Sequence, residues 1–137
     1  MSAPVAVAVA LIRNDEGKVL LCQRPPGKSY ALQWEFPGGK LEPGERSDQA
    51  LVRELAEELA IRAEAGPLLH RQVSHYADGG TFAVEYYLVE RWSGTPRNIV
   101  FADTRWVSLE ELPDFDILAG NREFCQQLAD SGLPPLP

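Results

Sequence analysis

Gly39-Lys40-Leu41-Glu42-Pro43-Gly44-Glu45-Arg46-Ser47-Asp48-Gln49-Ala50-Leu51-Val52-Arg53-Glu54-Leu55-Ala56-Glu57-Glu58-Leu59-Ala60-Ile61 joins a turn-rich lead to a helical repeat. Pro43-Gly44 closes the lead, and Ser47, a good N-cap residue, starts a helix expected to end near Leu59. At about 100° per residue, Leu51, Val52, Leu55 and Leu59 occupy one arc, and Glu54, Glu57 and Glu58 the arc beside it. These carboxylates therefore stand at the edge of the buried face. Like charges three and four residues apart disfavour a helix by roughly 0.2–0.5 kcal/mol per pair, and Arg53 offsets only part of that. The cluster is either a solvated acidic face or a set of oxygen ligands for a hard cation, Mg²⁺ or Mn²⁺. The preceding Pro37-Gly38-Gly39 turn favours the second reading, because glycine lets bare backbone approach the carboxylates and offer a carbonyl.

Outward from this stretch, 137 residues suit one domain, here residues 1–131, followed by a proline-rich tail, 132–137, expected to run extended over the surface. The chain is 45% hydrophobic and 24% charged, the balance of a globular protein. Its net charge of −7 argues against a nucleic-acid polymer held on a broad basic face. Seven acids and three arginines fall between Glu42 and Glu64, so −4 of the net −7 belongs to those 23 residues. The apolar start, Ala3 to Ile12, lacks a basic leader and is too short for a bilayer, which implies no membrane partner. Cys22 and Cys125 are far apart and form no CxxC, so a cytoplasmic protein with two reduced thiols is expected.

Strand patterns occupy 3–13 and 18–24, joined by a hairpin-like turn at Asn14-Asp15-Glu16-Gly17. A loop with Pro25, Pro26 and Gly27 leads to Trp34-Glu35-Phe36-Pro37-Gly38-Gly39-Lys40. Further strands are expected at 67–76 and 81–92, separated by Asp78-Gly79-Gly80, and at 104–107. Short helical stretches are expected at Ser108–Leu112 and from about Gly120 to Asp130. Paired strands with one central and one terminal helix describe a single mixed α/β domain with sheet and helices in layers.

Read together, Gly39, five residues, Glu45, seven residues, then Arg53-Glu54-Leu55-Ala56-Glu57-Glu58-Leu59-Ala60-Ile61 resemble the Nudix hydrolase signature. Every acidic and basic position agrees; Ala60 stands where the family has glycine, a place that serves the turn at the helix end. The likeness extends over roughly residues 3–130 and looks closest to the MutT-like group. The implied fold is the Nudix α/β/α sandwich with a mixed β-sheet. The implied activity is metal-dependent hydrolysis of a nucleoside triphosphate to monophosphate and pyrophosphate, 8-oxo-dGTP being the leading substrate. By position, the metal ligands would be the Gly38 carbonyl and Glu54, Glu57 and Glu58, with Arg53 orienting Glu45 and its neighbours by ion pairing. A small-molecule nucleotide is the implied partner, with monomer and homodimer both open.

By the same resemblance Arg24, Glu35, Phe36, Pro37, Gly38, Gly39, Lys40 and Asn121 would bind substrate. The Asn121 amide can donate and accept at once, which suits the O6 and N7–H of an 8-oxoguanine; its alternative is a cap on the last helix. His75 and Tyr76 should border the pocket, His70 should be structural, and the three tryptophans should be core or sheet-edge residues. A further glutamate of several MutT-like proteins is replaced here by Val100. The general base is then Glu54 or Glu57 of the box helix, with Asp103 the substitute. Rival readings are the same chemistry on CTP, dCTP or a methylated derivative, and a nucleotide-sensing module with a decayed centre.

Overall fold

The computed structural model describes residues 3–77 and 79–137. β1 (Val5–Ile12), β4 (Gly38–Lys40), β6 (Leu68–His75) and β7 (Thr81–Val89) form a sheet in the order β4-β1-β7-β6. β1 runs parallel to β7 and antiparallel to β4, so the sheet is mixed. A second sheet, β3-β2-β9, is antiparallel and uses Trp34–Glu35, Val19–Gln23 and Asp103–Val107. β5 (Arg62–Glu64) pairs with β8 (Arg91–Ser93).

The alternation in β1 explains the layering. Val9 and Leu11 face a core with Tyr86, Leu88, Phe36 and Phe124, on the side of the C-terminal helix α2 (Ala119–Ser131). Ala8, Ala10 and Ile12 face the opposite core, with Leu51, Leu55 and Leu59 of α1 (Ser47–Leu59). Successive strand residues point to opposite faces, so β1 serves both cores, and its alanines let α1 approach closely. The result is an α/β/α sandwich. Among the described residues no helix is long and apolar enough to cross a membrane.

Several boundaries differ from the sequence reading. Arg46, extended at φ −78° and ψ 155°, caps α1, and Ser47 is the first helical residue. The Gln49 side chain folds back to accept the Arg46 N–H at 3.0 Å, while the Ser47 hydroxyl bonds the Tyr87 hydroxyl instead. The Asn14–Gly17 turn forms, but β1 and β2 then enter different sheets, linked by one bridge, Arg13 to Val19. β3 and β4 arise within the 34–40 stretch, for which no strand was expected; β5 was not anticipated, and the expected 81–92 strand divides into β7 and β8. The short helix is a 3-10 turn, Leu109–Asp114, with Pro113 inside it.

Residues 132–137 form no regular element. The buried Arg13 guanidinium pairs with Glu90 (Nη2 to Oε2, 2.6 Å) and donates from Nη1 to the Pro134 carbonyl at 2.6 Å, pinning the tail across 121 residues. Trp34 is a core residue, and Trp92 stacks on Trp106 with ring centroids 6.2 Å apart.

Candidate active site

α1 ends beside the Pro37–Lys40 segment, and the contact between them needs two glycines. A Cβ on Gly38 would lie 2.1 Å from the Ala8 carbonyl oxygen, and its φ of +153° is one that side chains rarely adopt. A Cβ on Gly39 would lie 2.4 Å from Cδ of Glu54. Pro37 contributes to holding this segment down, its carbonyl accepting the Ala10 N–H at 2.8 Å. That bond and Leu41 N–H to the Ala6 carbonyl bracket the ladder, so Gly38, opposite Val9, takes a non-bonded position. Its N–H and carbonyl therefore face away from β1. The N–H donates to Glu58 Oε1 at 3.1 Å, which leaves the carbonyl on the same side as that carboxylate.

Arg53 ties the acidic residues together. Nε and Nη2 form a two-pronged pair with Glu45 at 2.9 and 3.0 Å, and Nη2 also donates to the Lys40 carbonyl at 3.1 Å. Nη1 donates to Glu54 Oε1 at 3.0 Å and to Glu57 Oε2 at 3.3 Å. Paired forks of this kind are among the stronger protein hydrogen bonds. Arg53 holds the Glu45 carboxyl down at about 2, and its own pKa is raised in return.

Glu54 and Glu58 are different. Burial pushes the Glu54 carboxyl up despite Arg53. Burial and the neighbouring Glu54 push Glu58 up to about 8. Glu57 is the exposed member, at 58%. The three are neighbours on one helix edge, but with Glu54 and Glu57 turned to Arg53 and Glu58 to Gly38, they do not close on one point. Among the described residues no three carboxylate, thiol or imidazole groups are arranged as a ready metal cage. The donor chemistry still fits a hard divalent cation: all ligands are oxygens, Glu58 lacks a strong countercharge, and exposed Glu57 has room to turn.

From Glu58 and Gly38 a cleft of about 440 Å³ runs between the sheets to the start of α2. Arg24, Glu35, Phe36, Gly39, Lys40 and Asn121, residues named from the resemblance as substrate contacts, all line it. Pro37 does not; its place is against β1. Arg24 is engaged by the protein itself: Nη1 donates to both Glu35 oxygens at 3.1–3.2 Å and Nε to the Ser29 carbonyl at 2.8 Å. It thereby pins the loop carrying Tyr30 and Leu32, both in the left-handed region at φ 55° and 65°. Burial raises the Glu35 carboxyl even with Arg24 beside it.

At the far end Phe36 packs edge-on against Phe124, and its N–H donates to Asn121 Oδ1 at 3.2 Å. Asn121 Nδ2 donates to the Tyr86 hydroxyl at 2.9 Å. Leu118 is the residue that precedes α2, so Asn121 sits within the helix and the capping alternative fails. Tyr76 lines the cleft and rests on Tyr30 and Phe82; its hydroxyl occupies the space a Cβ on Gly120 would need. His75 is not in the lining and contacts Thr81. His70 bonds Glu123 and stacks on Phe124, a structural position. Asp78 lies outside the described residues.

Val100 and Phe101 stand at the cleft mouth, Val100 with 42% exposure. Asp103 is outside the lining and accepts from Arg105 Nε at 3.0 Å. Sequence reasoning missed Tyr30, Phe82 and Tyr86. The strict alternation Phe82, Val84, Tyr86, Leu88 in β7 was the available signal, since it places a hydroxyl-bearing ring on the buried face.

A buried-edge carboxylate row, a glycine turn against it and a cleft of about 440 Å³ suit a hydrolase of phosphorus-containing anhydrides. Comparison with known proteins agrees: the NUDIX domain family matches residues 3–128, and the chain belongs to it. It is a MutT-like Nudix hydrolase. It is 34% identical over 122 residues to the 8-oxo-dGTP diphosphatase of Escherichia coli (strain K12), spanning 89% of this chain and 94% of that one. To the CTP pyrophosphohydrolase of the same organism it is 55% identical over 62 residues, 45% of each chain. The crystal structure of a MutT NUDIX hydrolase from Burkholderia pseudomallei superposes with a TM-score of 0.83 at 30% identity, covering 93% of this chain and 99% of the other. Nudix hydrolases generally require a divalent metal.

Proposed function

We propose that this enzyme converts 8-oxo-dGTP to 8-oxo-dGMP and pyrophosphate, with Mg²⁺ or Mn²⁺ held by Glu54, Glu57, Glu58 and the Gly38 carbonyl. The observation carrying this reading is the cleft itself, which joins Glu58 and Gly38 at one end to the buried Asn121 amide at the other. A triphosphate can meet that carboxylate row only with cations between them. When bound, the metal supplies charge neutralisation of the phosphates and a more acidic water.

The chain's own residues supply the rest. Arg53 holds Glu54, Glu57 and Glu45 in place. A water oxygen bonds to the β-phosphorus, the bond to the oxygen bridging the α- and β-phosphates breaks, and the nucleoside monophosphate leaves. We assign the water's proton to Glu54 or Glu57, which share the α1 edge with the cleft-lining Glu58, and not to Asp103, which lies on β9 paired with Arg105. Asn121 has one Nδ2–H and one Oδ1 lone pair remaining after its internal bonds, which suit the O6 acceptor and N7–H donor of 8-oxoguanine. Guanine offers two acceptors there, leaving a buried polar group unpaired. Phe36 and Tyr76 wall the base site.

Hydrolysis in ¹⁸O-labelled water tests the chemistry: label is expected in pyrophosphate and none in the monophosphate, and the reverse rejects attack at the β-phosphorus. For the base, Glu54→Gln with Glu57→Gln should abolish turnover while Asp103→Asn should retain most of it. A loss of about three orders of magnitude in Asp103→Asn alone would reverse that assignment. Cytidine triphosphate is the second reading, favoured by the 55% identity to the CTP pyrophosphohydrolase over 62 residues.

A further inference from the structure

Tyr86 is fully buried, does not line the cleft, and makes two hydrogen bonds. Its hydroxyl donates to the Gly120 carbonyl at 3.1 Å and accepts from Asn121 Nδ2 at 2.9 Å. A phenol has one hydrogen, and burial keeps it in place by raising the Tyr86 pKa. With that hydrogen committed to Gly120, the Tyr86 oxygen can only accept. The same Gly120 carbonyl also accepts Gln72 Nε2 at 2.6 Å. Flipping the Gln72 amide would set oxygen against oxygen, so that amide too has a fixed sense. On the other side of Asn121, the Phe36 backbone N–H can only donate, and Oδ1 receives it at 3.2 Å.

We infer that Tyr86 is a positioning residue for base selection: with the Phe36 N–H, it fixes which way round Asn121 presents its donor and acceptor to the cleft. The inference rests on the substrate reading above and deepens it. An amide held in one sense matches a base edge with a carbonyl beside an N–H and rejects an edge with two acceptors. Tyr86→Phe removes only the hydroxyl, leaving the ring stacked on Phe124 at 4.0 Å. Asn121 Nδ2 then loses its acceptor inside an apolar core, and the amide swings or turns to recover one.

Two measurements test this. In the first, kcat/KM for 8-oxo-dGTP and dGTP is compared in wild type and Tyr86→Phe. The ratio should fall at least about fivefold, through the 8-oxo-dGTP value, with dGTP turnover within about twofold of wild type. A selective wild type with unchanged selectivity in Tyr86→Phe overturns the inference and leaves the substrate reading standing. An unselective wild type overturns the substrate reading, and the second measurement then decides. That measurement is hydrogen exchange of the Asn121 side-chain amide, followed by NMR without nucleotide. Its protons should exchange at least about tenfold more slowly than those of exposed Gln126 in wild type, and that protection should largely vanish in Tyr86→Phe. Equal rates in wild type, or protection unaltered in the variant, overturn the inference whatever the substrate.

Discussion

Replacing Gly39 with alanine puts a methyl carbon where the Glu54 carboxylate now lies. The new Cβ would fall 2.4 Å from Cδ, 2.5 Å from Oε1 and 2.7 Å from Oε2 of Glu54. Carbon atoms normally approach to about 3.5 Å, so the carboxylate must retreat by about 1 Å. It is the end of a flexible side chain, so the fold yields cheaply. The loss is one strained or broken hydrogen bond to Arg53, now 3.0 Å, costing about 1 kcal/mol and about 3 °C in Tm. Catalysis is less forgiving, because a 1 Å misplacement of a reacting or metal-binding group costs about 100-fold in rate. Gly39→Ala should therefore lose about two orders of magnitude in kcat with a nearly normal melting curve. Gly38→Ala makes the contrast: its Cβ meets backbone, 2.1 Å from the Ala8 oxygen and 2.8 Å from Val9 Cα. Neither atom can turn aside, so that variant should fail in folding. Pyrophosphate release and thermal melts on both variants are the assay. Near-wild-type turnover in Gly39→Ala would refute the claim that Glu54 works where it stands.

Other consequences follow from the same geometry. Ala60 adopts φ 57° and ψ 34° at the end of α1, so Ala60→Gly should stabilise by about 0.5–1 kcal/mol, read as a Tm rise of about 2–3 °C with kcat unchanged. Glu58 titrates at about 8 in the folded chain against an ordinary 4.5. The folded metal-free protein thus keeps a proton that the unfolded chain has released, and its stability should fall as pH rises between those values. Mg²⁺ should flatten that fall and raise Tm at the upper end; a flat metal-free profile would contradict the shift. Arg13→Ala removes the clamp on the tail and should cost about 2 kcal/mol in a urea melt. It should also expose residues 132–137 to proteolysis while leaving kcat intact, because Arg13 does not line the cleft.

The parts of the molecule that could be read from sequence are those where one periodic pattern and one chemistry coincide. α1 was legible because its leucines repeat at helical spacing while its glutamates hold an adjoining arc. β1 was legible from its Val/Ala alternation, although that pattern could not show that both faces are buried. β3 and β4 have two and three residues, too few for any period to register, and their pairing depends on partners 11 to 33 residues away. The Asn121 side chain was ambiguous for a local reason: asparagine caps helices and also reads bases, and only the start of α2 at Ala119 decides between them. Arg24 shows the opposite limit. Its place at the cleft was foreseeable, but its commitment to Glu35 and Ser29 comes from a loop whose left-handed Tyr30 and Leu32 carry no sequence mark. The net charge of −7 also takes on a different meaning. It counts against a long nucleic acid, yet its densest portion includes Glu58, which lines the cleft where a chelated triphosphate would sit.

The most direct test is a panel of 8-oxo-dGTP, dGTP, dCTP and CTP, compared by kcat/KM in Mg²⁺ with wild-type enzyme. The account predicts Mg²⁺-dependent pyrophosphate release, with 8-oxo-dGTP preferred over dGTP by more than about tenfold, or about 1.4 kcal/mol, and both cytidine nucleotides weaker still. A preference below that, or CTP as the best substrate, would contradict the base reading, and no Mg²⁺-dependent turnover of any of the four would contradict catalysis itself.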